Sequence, residues 1–318
     1  MLIEQHPYPP LSFKGRKEKK MPNFTGAKTK KGVSLMNYLL FGASGLIGTH
    51  LLPILEETNT VHTVGRRNNS TINVDLESEW NADDLPDRID SVIYLAQSEK
   101  FRDFPESAES VFCVNTLSLL RAFDYARRAG VRTFVYTSTG GVYGKSDEPF
   151  DEKCSLSPLG ELGYYAATKM CGEIVAENYT PYMNVVVLRP FFVYGPGQRK
   201  DMLIPRLVER VRNGQSIQLA GEDGLHINPT YVEDAVRAIQ QALSVNTSCK
   251  VNIGGPEVLS LRRIGEHIGE ALGKEVRFEQ TDGVPARIVG SIEKMSRLLW
   301  RPRVSFSQGI KMYIDSLL

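Results

Sequence analysis

Cysteine is scarce in this chain of 318 residues: Cys113, Cys154, Cys171 and Cys249 are widely scattered with no paired spacing. That argues against a disulfide framework and against a zinc site, and for a reducing, cytoplasmic compartment. Excess charge is missing too, since 38 Lys+Arg against 37 Asp+Glu leave a formal net charge of +1. Composition therefore gives no electrostatic reason to expect a nucleic acid or an anionic membrane as partner. Long apolar runs are absent. The stretch nearest membrane-span length, residues 36–55, holds Gly42, Gly45, Gly48, His50 and Pro53, and reads better as a buried strand, a glycine turn and a helix. What remains, 42% hydrophobic and 24% charged residues, is the composition of a globular chain with a real core and excludes a collagen, a coiled coil or a wholly disordered protein.

The charge is unevenly placed. Residues 1–35 carry eight cations and two anions, a net +6, and the remainder carries −5. With Pro7, Pro9, Pro10, Gly15, Pro22 and Gly26 and no apolar core of a signal peptide, this leader is expected to be a disordered basic extension, or the product of a start codon upstream of Met36.

From Met36 onward short apolar runs alternate with helical patterns. Strands are expected at Tyr38–Phe41, Val61–Val64, Ile72–Val74, Ser91–Leu95, Val131–Thr137 and Asn184–Leu188, all β-rich in the manner of strands covered on both faces. Helices are expected at Leu46–Glu56, at Ser107–Ala129 with an apolar stripe of Val111, Val114, Leu117, Leu120 and Phe123, and at Tyr164–Asn178. The alternation predicts an α/β fold, a Rossmann-type doubly wound parallel sheet over residues 36–188. Residues 189–318 are expected to form a smaller α/β substrate domain, with the helix at 231–243 returning to the sheet and amphipathic helices at Met202–Asn213, Leu261–Leu272 and Phe306–Leu317.

The first strand runs into Gly42-Ala-Ser44-Gly45-Leu46-Ile47-Gly48. In such a turn the first glycine permits the tight bend, the second lets the backbone approach a pyrophosphate, and the third lets the helix pack on the strand. The helix N-terminus then offers free N–H groups to the phosphates. Some 24 residues past Gly42 the second strand ends in Arg66-Arg67, with no acid; a carboxylate there would suit the ribose hydroxyl of NAD, whereas guanidinium suits a 2′-phosphate, so NADP is favoured over NAD. Asp75 and Leu76 close the third strand where an adenine edge would lie.

Farther on, Thr137-Ser138-Thr139-Gly140-Gly141-Val142-Tyr143-Gly144 follows a strand and Tyr165-Ala-Ala-Thr-Lys169 opens a helix. Tyr165 and Lys169, four apart, share a helical face. A phenol with pKa about 10 becomes a usable proton carrier when an ammonium stands beside it. Together with Tyr94-Leu95-Ala96, Asn115, Leu188-Arg189-Pro190, Val193-Tyr194-Gly195-Pro196-Gly197 and Tyr231-Val232-Glu233-Asp234, these segments resemble the extended short-chain dehydrogenase/reductases, the NAD(P)-dependent epimerase/dehydratase group, over essentially Met36 to the C-terminus. The resemblance implies catalytic roles for Thr139, Tyr165 and Lys169. It adds Leu95, Ala96, Gln97, Asn115, Ser138, Pro190 and Val193 to the cofactor site, and places Ser98, Phe192 and Arg199 with Thr139 on the substrate side. It implies no metal, and a homodimer formed by the helices containing Asn115 and Tyr165.

The chain also departs from that pattern. Gly140 and Gly141 stand where family dehydratases carry an acid, which disfavours dehydration. Phe192 replaces a common Asn, and Ile227 lies where a diphosphate-clamping Arg is common. His226 and His267 are expected to be structural, and Glu233 and Asp234 to favour a helix start. Three functions compete: hydride transfer and epimerisation on a sugar, nucleotide-linked in one form; NADPH-dependent reduction of a small carbonyl compound, favoured by Phe191, Phe192 and the arginines; and a cofactor-binding regulator without catalysis, against which the intact Thr139, Tyr165 and Lys169 argue.

Overall fold

A computed structural model describes residues 35–66 and 70–317. The expectations for the basic leader and for Arg67 fall outside these residues. Strands β1 (Asn37–Phe41), β2 (Thr60–Gly65), β3 (Ile72–Asn73), β4 (Ser91–Tyr94), β5 (Thr133–Thr137) and β6 (Asn184–Pro190) join the strand Cys249–Ile253 in one seven-stranded sheet. Its order is β3-β2-β1-β4-β5-β6 followed by Cys249–Ile253, and every neighbouring pair is parallel. The order reverses between β1 and β4, which pair Leu39 with Val92 and Phe41 with Tyr94. A crevice opens at such a reversal because the two connections leave toward opposite faces of the sheet.

Both faces are dry. Leu39, Phe41, Val92, Tyr94, Phe134 and Tyr136 point to one side, and Leu40, Ile93, Val135 and Val186 to the other. This period of two sends successive apolar residues to opposite layers. Burial of each such side chain is worth about 1.5–3 kcal/mol. Helix α1 (Leu46–Glu56) covers the second face. The first is covered by a run comprising α2 (Ala108–Phe112), a π turn (Cys113–Leu117) and α3 (Ser118–Ala129), together with α4 (Tyr164–Tyr179).

The π turn corrects the expected stripe. Val111, Val114 and Phe123 are buried, whereas Leu117 and Leu120 are 39% and 40% exposed, because the wider turn rotates the face that follows it. Helix α3 ends at Gly130, whose φ of 70° supplies the left-handed cap.

Beyond β6 come α5 (Leu203–Arg212), α6 (Val232–Ala242), α7 (Leu261–Leu272), α8 (Glu293–Leu298) and α9 (Phe306–Asp315). Helix α6 packs on α1. Small strand pairs link the rest: Ile217–Ala220 with Phe278–Thr281, and His226–Ile227 between Leu259–Ser260 and Arg287–Ile288. A Ser305–Gln308 capping box starts α9. Asp234 does more than favour a helix start. Its buried carboxylate accepts from Trp300 Nε1 at 2.8 Å, Arg303 N at 3.0 Å and Val304 N at 2.9 Å, tying the C-terminal segment to α6. Among the described residues no helix is long and apolar enough to cross a membrane, and no cluster of His, Cys, Asp and Glu could hold a metal ion.

Candidate active site

The loops leaving β1, β2, β4, β5 and β6 enclose a cavity of about 950 Å³. Its floor is the turn from β1 to α1. Gly42 adopts φ +83°, and a Cβ there would sit 2.7 Å from Ala96 N; a Cβ on Gly48 would sit 2.2 Å from the Gly42 carbonyl oxygen. Both positions therefore require glycine. Gly45 is different, since the only atom near its missing Cβ is Gly42 O at 3.4 Å, and its backbone stays open to a ligand. Gly45 N donates to Gly42 O at 3.1 Å and closes the turn. This is the division of labour that a pyrophosphate cradle at a helix N-terminus needs.

At the end of β2, the Arg66 guanidinium lies 3.3 Å from Glu77 and 3.8 Å from Asp75, while Lys100 reaches Glu77 at 3.3 Å. The expected cation is present, but two carboxylates already face it. Glu77 was not singled out from sequence because its partner lies eleven positions away, on the other side of β3.

Thr139, Tyr165 and Lys169 converge on the same cavity. The Thr139 hydroxyl accepts from Gly141 N at 3.1 Å. Tyr165 O–H donates to Gln97 Oε1 at 2.9 Å, and Lys169 Nζ donates to Thr137 O at 3.0 Å. Burial pushes the Tyr165 phenol well above its ordinary value, and a hydrogen bond from Thr139 pulls it partly back. Burial also depresses the Lys169 ammonium to about 7. Desolvation disfavours both charged forms, so added polar groups at this end of the cavity would shift both residues. Thr137 Oγ1, also in the lining, is buried without a hydrogen-bond partner among the described residues. The donors present thus fit a polyhydroxylated group such as a nucleotide ribose.

Beneath this triad lies a buried polar network. Ser138 Oγ donates to Glu173 Oε1 at 2.6 Å, and Arg189 grips both Glu173 oxygens at 2.9 and 2.6 Å. Arg189 also donates to the Tyr143 hydroxyl, which donates to Asn252 Oδ1 at 2.9 Å. The network joins the ends of β5 and β6, α4 and the strand Cys249–Ile253 behind Thr139. Glu173 and Asn252 were missed from sequence; the available signal was an acid one turn past Lys169 on a helix face that must be buried.

Every described residue expected in the site lines the cavity except Asn115. Asn115 is fully buried one layer back, where it accepts from Ser98 N at 3.1 Å and donates to Thr168 Oγ1 at 3.0 Å. Thr168 in turn donates to the Tyr165 carbonyl at 2.8 Å. Asn115 therefore fixes the loop after β4 against α4. Ile227 has no exposed surface and packs in the core. Neither His226 nor His267 lines the cavity, and His267 lies 3.3 Å from Glu270.

Phe192 lines the cavity with φ +45°, the left-handed region that suits Asn and strains a bulky residue. Phe101, Phe191, Met202, Leu203 and Ile288 add apolar wall. At Gly140 a Cβ would lie 2.6 Å from the Phe191 ring, so that ring fills the space an acid would need.

These features can be set beside known proteins. Residues 38–254 match the model of the NAD dependent epimerase/dehydratase family. A Bacillus subtilis protein described as an uncharacterized UDP-glucose epimerase, YtcB, is 31% identical over 64% of this chain and 67% of its own length. A UDP-glucuronate 4-epimerase of Thermodesulfobacterium geofontis is 27% identical over 71% of this chain and 72% of its own. Among solved structures, MoeE5 in complex with UDP-glucuronic acid and NAD superposes with a TM-score of 0.77 at 27% identity, covering 88% of this chain and 98% of MoeE5. The Bacillus cereus UDP-glucuronic acid 4-epimerase, bound to UDP-glucuronic acid and NAD, gives 0.77 at 26%, covering 89% and 99%. The family model spans the glycine turn, the Thr139 loop and the Tyr165 helix alike, and on that agreement the chain belongs to the NAD dependent epimerase/dehydratase family.

Proposed function

We propose that the protein epimerises a sugar carried on a nucleoside diphosphate. The observation that carries this reading is one continuous cavity with the glycine turn at one end and Thr139, Tyr165 and Lys169 at the other. A nicotinamide dinucleotide bound there supplies a hydride acceptor that can later return the hydride. Gly42, Gly45 and Gly48 cradle its pyrophosphate, and Lys169 and Thr137 meet its ribose. Thr139 orients the sugar oxygen by hydrogen bonding, Tyr165 takes its proton as the carbon is oxidised and gives it back on reduction, and the ammonium of Lys169 stabilises the phenolate.

The cofactor we infer is NAD. Two arginines in sequence favour NADP, but Arg66 stands between Asp75 and Glu77, and a 2′-phosphate would face both carboxylates. The solved relatives named above hold NAD. We expect NADH to bind at least several-fold more tightly than NADPH in isothermal titration, and UDP-glucose or UDP-glucuronic acid incubated with NAD to yield a second epimer by NMR. Equal or tighter NADPH binding would return Arg66 to the 2′-phosphate role. Net oxidation of NADPH by small ketones, with no epimer formed from any nucleotide sugar, would establish the carbonyl reductase reading that Phe191 and Phe192 favour.

Leu117, Leu120 and Ile174, the last 60% exposed, leave apolar surface on the π turn and on α3 and α4. We infer that two copies pair through these helices. Light scattering after size exclusion should give twice the mass of the chain, and Leu120→Glu with Ile174→Glu should halve it; a monomer at micromolar wild-type concentration would overturn this. The four free cysteines support a reducing, cytoplasmic setting.

A further inference from the structure

Four cations line the cavity among the described residues: Arg66, Lys100, Lys169 and Arg199. Lys169 is buried against Thr137, and Arg66 and Lys100, as exposed as Arg199, share Glu77, an acid of the lining itself, whereas the acid that holds Arg199 lies outside the lining. Arg199 differs. It is half exposed, and its guanidinium is held in a two-pronged grip by Asp201, Nε to Oδ1 at 3.0 Å and Nη2 to Oδ2 at 2.9 Å, while Nη1 donates to Glu99 O at 2.6 Å. A second guanidinium, outside the lining, meets the same carboxylate oxygen. Arg102 Nη1 donates to Asp201 O at 2.7 Å and lies 3.4 Å from Asp201 Oδ2. Both guanidiniums lean on the Phe101 ring, at 5.1 Å for Arg102 and 6.0 Å for Arg199, and that ring packs 5.0 Å from Tyr165.

Two arginines thus share one carboxylate beside the catalytic tyrosine, with Glu99 also in the lining. Water screens a half-exposed ion pair, which leaves this one open to exchange with a more highly charged anion. A diphosphate presents more charge and the same fork-matching oxygens as a carboxylate. We propose that Asp201 is an internal stand-in for the substrate's diphosphate: Arg199 exchanges Asp201 for the diphosphate, and Arg102 takes over the released carboxylate so that it is never left unpaired. This rests on the nucleotide-sugar reading and supplies the cation that Ile227 cannot. Arg199 is then a binding residue, and Arg102 a positioning residue acting through Asp201.

The test uses the full chain saturated with cofactor, with UDP as probe and uridine as the uncharged control, both by titration calorimetry. Arg199→Ala should weaken UDP about 10- to 100-fold, the effect of removing hydrogen bonds to a charged group. Arg102→Ala should weaken it about 3-fold, and Asp201→Asn should tighten it by a similar factor, as for a single exposed ion pair. The decisive arm is the double variant: in the Asp201→Asn background Arg102→Ala should no longer matter. Affinity for NADH should stay within two-fold throughout, which separates the substrate's diphosphate from the pyrophosphate of the cofactor. Unchanged UDP affinity in Arg199→Ala would overturn the exchange while leaving the nucleotide-sugar reading intact. An Arg102→Ala effect equal in both backgrounds would reduce Arg102 to loop support and overturn the exchange too. If UDP, dTDP, GDP and ADP all fail to bind wild type at millimolar concentration, both the exchange and the reading beneath it fall.

Discussion

Tyr165→Phe should lower turnover about 10²–10⁴-fold, the contribution of a positioned acid/base, while NADH affinity and melting temperature stay close to wild type. The substitution removes one oxygen whose protein contacts are Gln97 Oε1 and Thr139, and the ring keeps its packing against Phe101. Single-turnover kinetics on a nucleotide sugar reads the loss. Residual activity above a few per cent would mean another group moves the proton. Lys169→Met is the companion variant and should lose cofactor affinity as well as rate. Its stability carries a signature: burial holds the Lys169 ammonium at about 7 rather than its ordinary 10.5, so the folded protein sheds a proton that the unfolded chain keeps between those values. Burying the charge costs most below pH 7 and progressively less as pH rises toward 10.5. The methionine variant should therefore gain most in melting temperature over wild type at pH 6, and the gain should shrink by pH 10. A gain independent of pH would contradict the buried charge.

Glu173→Ala should be the most damaging single change to the fold around the site. Arg189 and Glu173 are 2% and 3% exposed, and removing one member of a buried pair strands the other charge at about 3–5 kcal/mol. A loss of that size lowers the melting temperature by about 5–8 °C in a chain of this length. Ser138 loses its acceptor in the same step, so turnover should suffer in whatever protein remains folded. The pair Glu173→Ala, Arg189→Met should be less destabilised than Glu173→Ala alone, because no charge is then orphaned. Additive losses in that cycle would show that packing volume, not charge, is what the network contributes.

How much of this was legible in sequence depends on the range of the interaction. Helix α1 begins and ends at Leu46 and Glu56 as expected, since the glycine turn and the apolar spacing act within a few residues. The glycine cradle and the Tyr165–Lys169 pair were legible for the same reason. The strand Cys249–Ile253 was not, because Lys250 and Asn252 break its apolar pattern, and Asn252 is buried only through partners such as Tyr143, 109 residues away. Arg66 stands at the end of β2 as its sequence position implies, but its pairing was not legible, since Glu77 comes from beyond β3. The motif of Asn115 was visible, but its burial one layer behind the cavity lining, within a π turn, leaves no period in the sequence.

The Phe191 ring sits against both Gly140 and Gly290, where an added Cβ would come within 2.6 and 2.5 Å of it. That wedge orders the routes by which this active site can change over evolution or in the laboratory. An acid at 141 has room, since a Cβ there meets only Thr139 and Ala166 at 3.4 Å or more. An acid at 140 is inaccessible until Phe191 shrinks, and a smaller residue at 191 opens a gap beside Gly290 before any benefit arrives. One substitution therefore suffices to place an acid at 141, whereas an acid at 140 needs the Phe191 wedge to change with it, and libraries aimed at position 140 should randomise 140, 191 and 290 together.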